Sequence, residues 1–436
     1  MPLASTTMYK NISLFGIIWI CGLSLAQAQT ENSPYSRYGL GDQIPSQNIL
    51  TRGMGGVSAG YIDFQAVNFL NPASYSKLRV TTFDFGTEIS SRTLRSVNPP
   101  RKFTSTSPNI SYIQLGIPLS QKRNWGMNIG LRPKTKISYR IERNQRLESI
   151  DSLNTLFEGN GGAYEVFAGS GIGFKNFSIG FNVGYLFGSK DYNTRTSFIQ
   201  DSSTSVYYNS NHQTNVNFGG FFLNAGAQYA AKLSTDLTLQ LGAYGNLKQE
   251  LNASKDLIRE TFTSGQNGYL RIDSISEQKD IEGKLQYPAS YGVGFILNKA
   301  NKWMLGVDYT AAKWSDYTLF NEKDLVQDSW KLHIGGQVIP NAVNPRSYWG
   351  RVAYRAGFNF GKDYVNIDGE LPVRTFTLGF GLPMRKGAYT NQFSIINTAF
   401  EFGRRGNEEN PIRENFFRFS LGLTLSDIWF QKRRYE

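Results

Sequence analysis

Strict two-residue alternation, repeated in segment after segment, constrains this chain more than any other feature. Phe177, Ile179, Phe181, Val183, Tyr185 and Phe187 alternate with Ser178, Gly180, Asn182, Gly184, Leu186 and Gly188. Successive side chains of a strand point to opposite faces, so one face is apolar and aromatic and the other small or polar. The pattern returns at Leu237, Leu239, Leu241 and Ala243, at Trp303, Leu305, Val307 and Tyr309, and at Phe376, Leu378, Phe380 and Leu382. It closes the chain at Phe417, Phe419, Leu421, Leu423 and Leu425. In a soluble sandwich a single core would have to accept every one of these aromatic rows. In a membrane barrel they face lipid, and the glycines and polar residues line the interior.

A secretory signal precedes the strands. Lys10 supplies a positive start, Ile12 to Leu25 an apolar stretch and Ala26-Gln27-Ala28 a small-x-small cleavage pattern, so Gln29 opens the mature chain. Ile20 stands where a lipoprotein signal needs a small residue before Cys21. Cys21 is the chain's one cysteine, so the mature protein uses neither disulfides nor thiolate metal sites. With 44 glycines, 24 tyrosines, 30 phenylalanines and a mean hydropathy of −0.37, no second stretch is apolar enough for a spanning helix. A net charge of +12 suits phosphate-rich lipid headgroups or an anionic ligand. Nucleic acid is excluded as a partner, since a secreted chain rarely meets it and no recognition motif carries the basic residues.

Connections alternate in length. Ser120–Asn124, Lys175–Asn176, Lys232–Asp236 and Asn298–Lys302 read as short turns, with longer ones near Asn341–Tyr348 and Lys386–Asn391. Between them lie the polar stretches Ser91–Ser107, Ile141–Gly162, Phe320–Gln327, Lys362–Pro372 and Gly403–Asn415. Two connections read as protruding hairpins with tips near Asp201–Thr204 and Ser264–Gly268. Short turns on one rim and long loops on the other are the asymmetry of an outer-membrane barrel. The expectation is an all-β fold, a transmembrane antiparallel β-barrel of about fourteen strands over residues 79–436, after a signal at 1–28 and a segment at 29–78. An even strand count puts both termini on the periplasmic rim.

Residues 29–78 lack the alternation and hold Pro34, Gly39, Gly41, Pro45 and Gly53-Met54-Gly55-Gly56. Their aromatic and apolar content (Tyr35, Tyr38, Leu40, Ile62, Phe64, Phe69, Leu70) favours a plug in the lumen over a disordered tail. Gly53, Gly55 and Gly56 permit close backbone approach there. Pro72 pushes Asn71 into an extended conformation, and Asn71 can bond nearby backbone, fixing the exit into the wall.

Gly53-Met54-Gly55-Gly56-Val57-Ser58-Ala59-Gly60, then Asn71-Pro72-Ala73-Ser74-Tyr75-Ser76, then the first strand, make the chain resemble the FadL-type outer-membrane transport family. Ser33 to Asp42 and the closing Ser426-Asp427-Ile428-Trp429-Phe430 resemble its Bacteroidota branch. The resemblance implies a fourteen-stranded barrel, an N-terminal hatch carrying Gly53, Gly55, Gly56, Asn71, Pro72 and Ala73, and passive uptake of hydrophobic or amphipathic small molecules. A non-catalytic accessory barrel, docked to a larger outer-membrane secretion or assembly complex, is the alternative that the protruding hairpins suit.

Catalytic chemistry finds no support. His212 and His333 are the only histidines and fit no Ser/His/Asn order or acidic cluster of a barrel hydrolase. Gly169-Ser170-Gly171-Ile172-Gly173 has the glycines of a phosphate loop but sits mid-strand with no helix after it. No cofactor or metal site is expected. Parity places Asp84, Glu88, Arg132, Lys134, Glu165, Asp308, Lys331, Arg351, Arg355, Glu401 and Arg418 in the lumen, where neighbouring strands can pair them. Lys331, Arg351, Arg355 and Arg418 are the candidates to receive the head group of an amphipathic anion. Trp125, Trp303, Trp349 and Trp429 read as interface girdles.

Processing is checked by N-terminal sequencing of the outer-membrane fraction. The expected result is a mature chain starting at Gln29; recovery in the soluble periplasmic fraction would overturn the membrane reading.

Overall fold

The computed structural model describes residues 32–97, 99–146, 152–199, 208–265, 268–342, 346–367, 369–384 and 393–428. The signal segment with Gln29, the hairpin tip at Asp201–Thr204 and Trp429 lie outside them.

Fourteen antiparallel strands close into a barrel: β1 (Thr81–Ser96), β2 (Arg101–Ser120), β3 (Trp125–Arg146), β4 (Ser152–Phe174), β5 (Phe177–Ile199) and β6 (Asn209–Lys232) come first. Two broken strands follow, β7 (Leu237–Asn246 continued by Gln249–Gly265) and β8 (Gly268–Tyr287 continued by Ser290–Lys299). The last six are β9 (Trp303–Ala312), β10 (Ser329–Val338), β11 (Ala353–Asn366), β12 (Glu370–Pro383), β13 (Phe393–Arg405) and β14 (Ile412–Asp427). Each strand pairs with the next, and β14 pairs with β1 from Ile412↔Ser96 to Asp427↔Thr81, which closes the sheet on itself. The breaks in β7 and β8 lie opposite each other: the lower half of β6 pairs with Leu237–Asn246 and its upper half with Gln249–Gly265. Pro288 explains the break in β8, since it cannot donate to a ladder.

Side-chain parity follows the expectation. Phe181 is 50% exposed and Phe177, Ile179, Val183 and Tyr185 are comparably open, whereas Ser178 and Asn182 are buried. The polar stretches read as loops are largely strand. β1 runs to Ser96 and β2 starts at Arg101, inside the expected Ser91–Ser107 loop, and β3 and β4 likewise cover most of Ile141–Gly162. Lys362–Pro372 and Gly403–Asn415 are entered by strands from both sides in the same way. Beyond the hydrocarbon neither face needs to be apolar, so pairing continues after the alternation stops. Phe320–Gln327 remains a loop apart from the isolated bridges Leu319↔Glu322 and Val326↔Val365. The hairpin expected at Ser264–Gly268 turns between the register partners Gly265 and Gly268.

Depth dependence checks the lipid face. Phe181→Arg, near the middle of the lipid-facing row Phe177–Phe187 of β5, should cost about 2–4 kcal/mol, while Phe177→Arg at the rim should cost roughly 0–1 kcal/mol. Equal losses in refolding titrations would put the membrane band at a different height.

Candidate functional site in the barrel lumen

Residues 32–80 pack against the inward side chains of the wall. Met54, Val57, Ala59, Tyr61, Phe69, Ala73, Tyr75 and Leu78 are all at most 2% exposed. Backbone meets backbone where glycines allow it. Gly55 and Gly56 hold φ of +71° and +92°, a conformation that a side chain resists, and a Cβ at Gly55 would come within 2.7 Å of the Ile334 carbonyl oxygen. The wall answers in kind: a Cβ on Gly335 would strike Met54, on Gly242 Ala59, and on Gly171 or Gly180 Pro72. Gly169-Ser170-Gly171-Ile172-Gly173 is therefore strand wall, its central glycine giving room to Pro72.

Polar wall residues satisfy the segment's orphan backbone groups. Asn224 donates to the Leu70 carbonyl at 3.1 Å, Asn182 to Phe69 at 3.0 Å, and Gln228 to Ala59 and Tyr61 at 2.9 and 3.1 Å. Asp308 accepts the Ser58 and Ala59 amides at 2.5 and 2.7 Å. His333 Nδ1 lies 2.7 Å from the Gly55 carbonyl oxygen, so this ring holds structure. Asn71 is extended (φ −112°, ψ 96°) and caps a 3-10 helix, Pro72–Lys77, by accepting the Ala73 amide at 3.2 Å. Its Nδ2 donates to Ala59 at 2.8 Å and to the wall carbonyls of Ala227 and Ala243 at 3.2 and 3.3 Å.

Buried charges are mostly paired. Arg52 Nη1 sits 2.7 Å from Glu88, Arg132 is 2.9 Å from its register partner Glu165, and Arg418 is 2.9 Å from its register partner Glu401. Higher in the barrel, Asp42 lies between Arg92 at 2.5 Å and Arg405 at 2.7 Å, both of which also reach Glu414 at 3.3 Å. Burial raises the Asp42 pKa, but the two guanidiniums outweigh it and hold the carboxyl well below the usual carboxylate range. This network is invisible in the sequence, because Asp42 comes from the irregular segment and its partners from β1 and β13.

A seam in the wall accompanies that network. β2 pairs with β3 only from Ile113↔Leu131 to Ser120↔Trp125. Above it the free edge of β3 is met by the N-terminal segment, with Asp42↔Lys136 and Gln43↔Thr135 in register and the Ser33 amide donating to Ser138 at 2.8 Å.

The four candidate cations do not converge. Lys331 and Arg418 line one lumenal cavity of about 280 Å³, together with Leu70, Tyr244, Tyr287, Trp314 and the Asp42–Arg405 network. Arg355 is buried elsewhere, donating to Gln337 at 2.7 Å and Asn397 at 2.9 Å. Arg351 corrects the parity expectation: it ends a 3-10 turn, Tyr348–Arg351, before β11 begins, and is exposed with its guanidinium 5.9 Å over the Tyr348 ring. Parity holds only within a strand, and β11 starts two residues later. Trp125 and Trp349 are exposed at strand ends or turns, 40% and 63%, as interface residues should be.

Solved structures with this fold include the CymD monoaromatic hydrocarbon channel (15% identity, TM-score 0.54, covering 88% of this chain and 98% of that one). The toluene transporter TodX of Pseudomonas putida is similar at 16% identity and a TM-score of 0.56, over 88% of this chain and 99% of its own. A FadL homologue of Pseudomonas aeruginosa gives 12% identity and a TM-score of 0.55 over 90% of this chain and 100% of its own. The architecture is thus that of FadL-type outer-membrane channels, and with its lipid-facing aromatic rows it implies an outer-membrane location. A search of curated proteins returns no match. The BamG family profile matches residues 8–436, nearly the whole chain. The chain belongs to the BamG family.

Proposed function

We propose that the protein is a passive, non-enzymatic outer-membrane channel for hydrophobic or amphipathic small molecules, with residues 29–78 acting as a hatch in its lumen. The observation that carries this reading is the cavity between the segment and the wall, lined on one side by Asp42 to Gln47 and Gly55. Its wall combines rings (Tyr244, Tyr287, Trp314) with Lys331, which has no carboxylate partner among the described residues. An apolar body with an anionic head would meet both. CymD and TodX, described as carrying monoaromatic hydrocarbons and toluene, supply the analogy for the apolar part. Gly55, Gly56, Asn71, Pro72 and Ala73 seat the hatch by the contacts given above, and Gly53 by accepting from the Thr377 hydroxyl at 3.2 Å. The shared rim of Thr81, Asp427 and the short turns supports periplasmic termini, and the end motifs support the Bacteroidota branch.

A second reading is favoured by the density of polar bonding between segment and wall. A lumen whose carboxylates and amides are committed to holding the segment suits an accessory barrel of an outer-membrane secretion or assembly complex, working through its rim and protruding hairpins. Affinity capture from detergent-solubilised outer membranes distinguishes the two. A stable protein complex, with no growth defect of a deletion strain on hydrophobic substrates, would select the accessory role.

Deleting Gln29–Gly60 should leave a barrel that still inserts, since closed pairing and the lipid face hold it. Its planar-bilayer conductance should exceed that of the full chain; a truncated, inserted barrel as tight as the full-length one would sink the hatch.

Acid should loosen the same segment. Because the Asp42 pKa is depressed on folding, its contribution is complete above the ordinary carboxylate value of about 4 and is lost as pH falls below it. Conductance of the full chain should stay low from about pH 8 to 5 and rise below about pH 4, and Asp42→Asn should raise it at neutral pH. A flat profile in both proteins would show that this network does not hold the segment.

A further inference from the structure

On the outer surface, β12 and β13 place two arginines directly opposite each other. Arg374 and Arg404 are register partners, both exposed, one pair beyond the lipid-facing partners Phe376 and Phe402. Partners of this kind have Cβ atoms about 5 Å apart, and like charges so placed destabilise a sheet unless an anion sits between them. Neither arginine has a carboxylate partner among the described residues. The basic surface continues over the next strands: Arg413 of β14 is the register partner of Arg95 on β1, and Arg95 that of Lys102 on β2. Among the described residues Arg413 pairs with Glu408 at 3.1 Å, and the other four of these cations make no ion pair.

Beside Arg374, on its long-hairpin side, runs an outward groove of about 550 Å³ lined by Trp330, Phe360, Lys362 and Pro372 and by two carboxylates, Glu370 and Glu409. Trp330 and Phe360 meet edge to face with ring centroids 6.0 Å apart. Counting from Pro383 at the short-turn end, Arg374 is the tenth residue of β12, about the length that crosses the hydrocarbon. Two guanidiniums therefore stand where headgroups lie, above the lipid-facing Phe376 and Phe402. Arg is suited to bidentate phosphate recognition, and at this depth the phosphate that a barrel meets is a lipid's.

We propose that Arg374 and Arg404 form a binding site for the phosphorylated headgroup of a lipid in the leaflet at the long-hairpin rim, its chain lying along the Phe376–Phe402 pair on the membrane side of the two arginines. The site is on the outside of the wall and is independent of what the lumen does.

The test uses the full-length mature protein in non-ionic detergent, with bound lipid counted by native mass spectrometry. Phosphatidic acid, a phosphomonoester lipid, is compared with phosphatidylcholine, and inorganic phosphate serves as competitor. Wild type should retain phosphatidic acid over phosphatidylcholine. Arg374→Gln with Arg404→Gln should weaken that retention roughly tenfold or more, while the double lysine variant keeps most of it. Arg140→Gln, an exposed arginine on β3, should change nothing. Heat-modifiable gel mobility of each variant establishes folding. Equal retention by wild type and the double glutamine variant would overturn the proposal. Displacement of the lipid by phosphate at equal concentration would overturn it as well, by assigning the pair to a free anion. Loss of a co-purifying protein from the glutamine variant with unchanged lipid retention would do the same, by assigning the surface to protein docking.

Discussion

A bilayer core offers no water to an unpaired amide or carbonyl, and a strand that crosses it must find its partners on both sides. Closure of β14 on β1 meets that demand, and every other feature of this molecule is arranged around it. Because pairing satisfies the backbone of each strand, its two faces acquire fixed environments. Rings such as Phe181, Phe376 and Phe417 go to lipid, and Asn182, Thr377 and Ser420 go inward. Where strands rise beyond the membrane the demand relaxes. Strands then run on through sequence with no alternation, and, lower down, where β2 leaves β3 after Leu131, the edge of β3 takes the N-terminal segment as a partner instead.

The interior is organised by a second constraint. A chain seated inside a barrel must have its own backbone groups satisfied by the wall, since little water reaches them. Asn182, Asn224, Gln228, Asp308 and His333 perform that service, and glycines on both surfaces let the main chains approach closely enough for it. The small and polar residues that alternate with the lipid-facing rings are the outline of this contact.

Buried charges in such a setting are expensive unless paired, and unpaired ones mark a role. Arg132 with Glu165 and Arg418 with Glu401 are pairs between adjacent strands that parity and register anticipate. Asp42 with Arg92 and Arg405 joins elements far apart in the chain. Against that background Lys331 and Arg355 inside and Arg374 with Arg404 outside make no ion pair among the described residues, Lys331 facing a cavity and the outer two the headgroup level.

Barrel architecture, strand number and the lipid face were legible in the sequence because period-two alternation is local: each residue's side is set by its neighbours in the same strand. Asn71 was legible too, since a residue before proline is extended by its own covalent geometry. Local rules end where strands end, which is why Arg351 was placed inside when it sits in a turn, and why polar hairpin arms were read as loops. Arg374 and Arg404 lie 30 residues apart and show nothing individually; only register makes them neighbours. The course of residues 32–80, the Asp42 network and the separation of Arg355 from Lys331 and Arg418 likewise depend on which surfaces meet in three dimensions. The sequence by itself determined the class of fold and the sidedness of its wall, because these are properties of single strands in a lipid solvent. Tertiary structure alone decided how the interior is filled and which charges find partners, because those energies belong to contacts between segments that the linear pattern does not bring together.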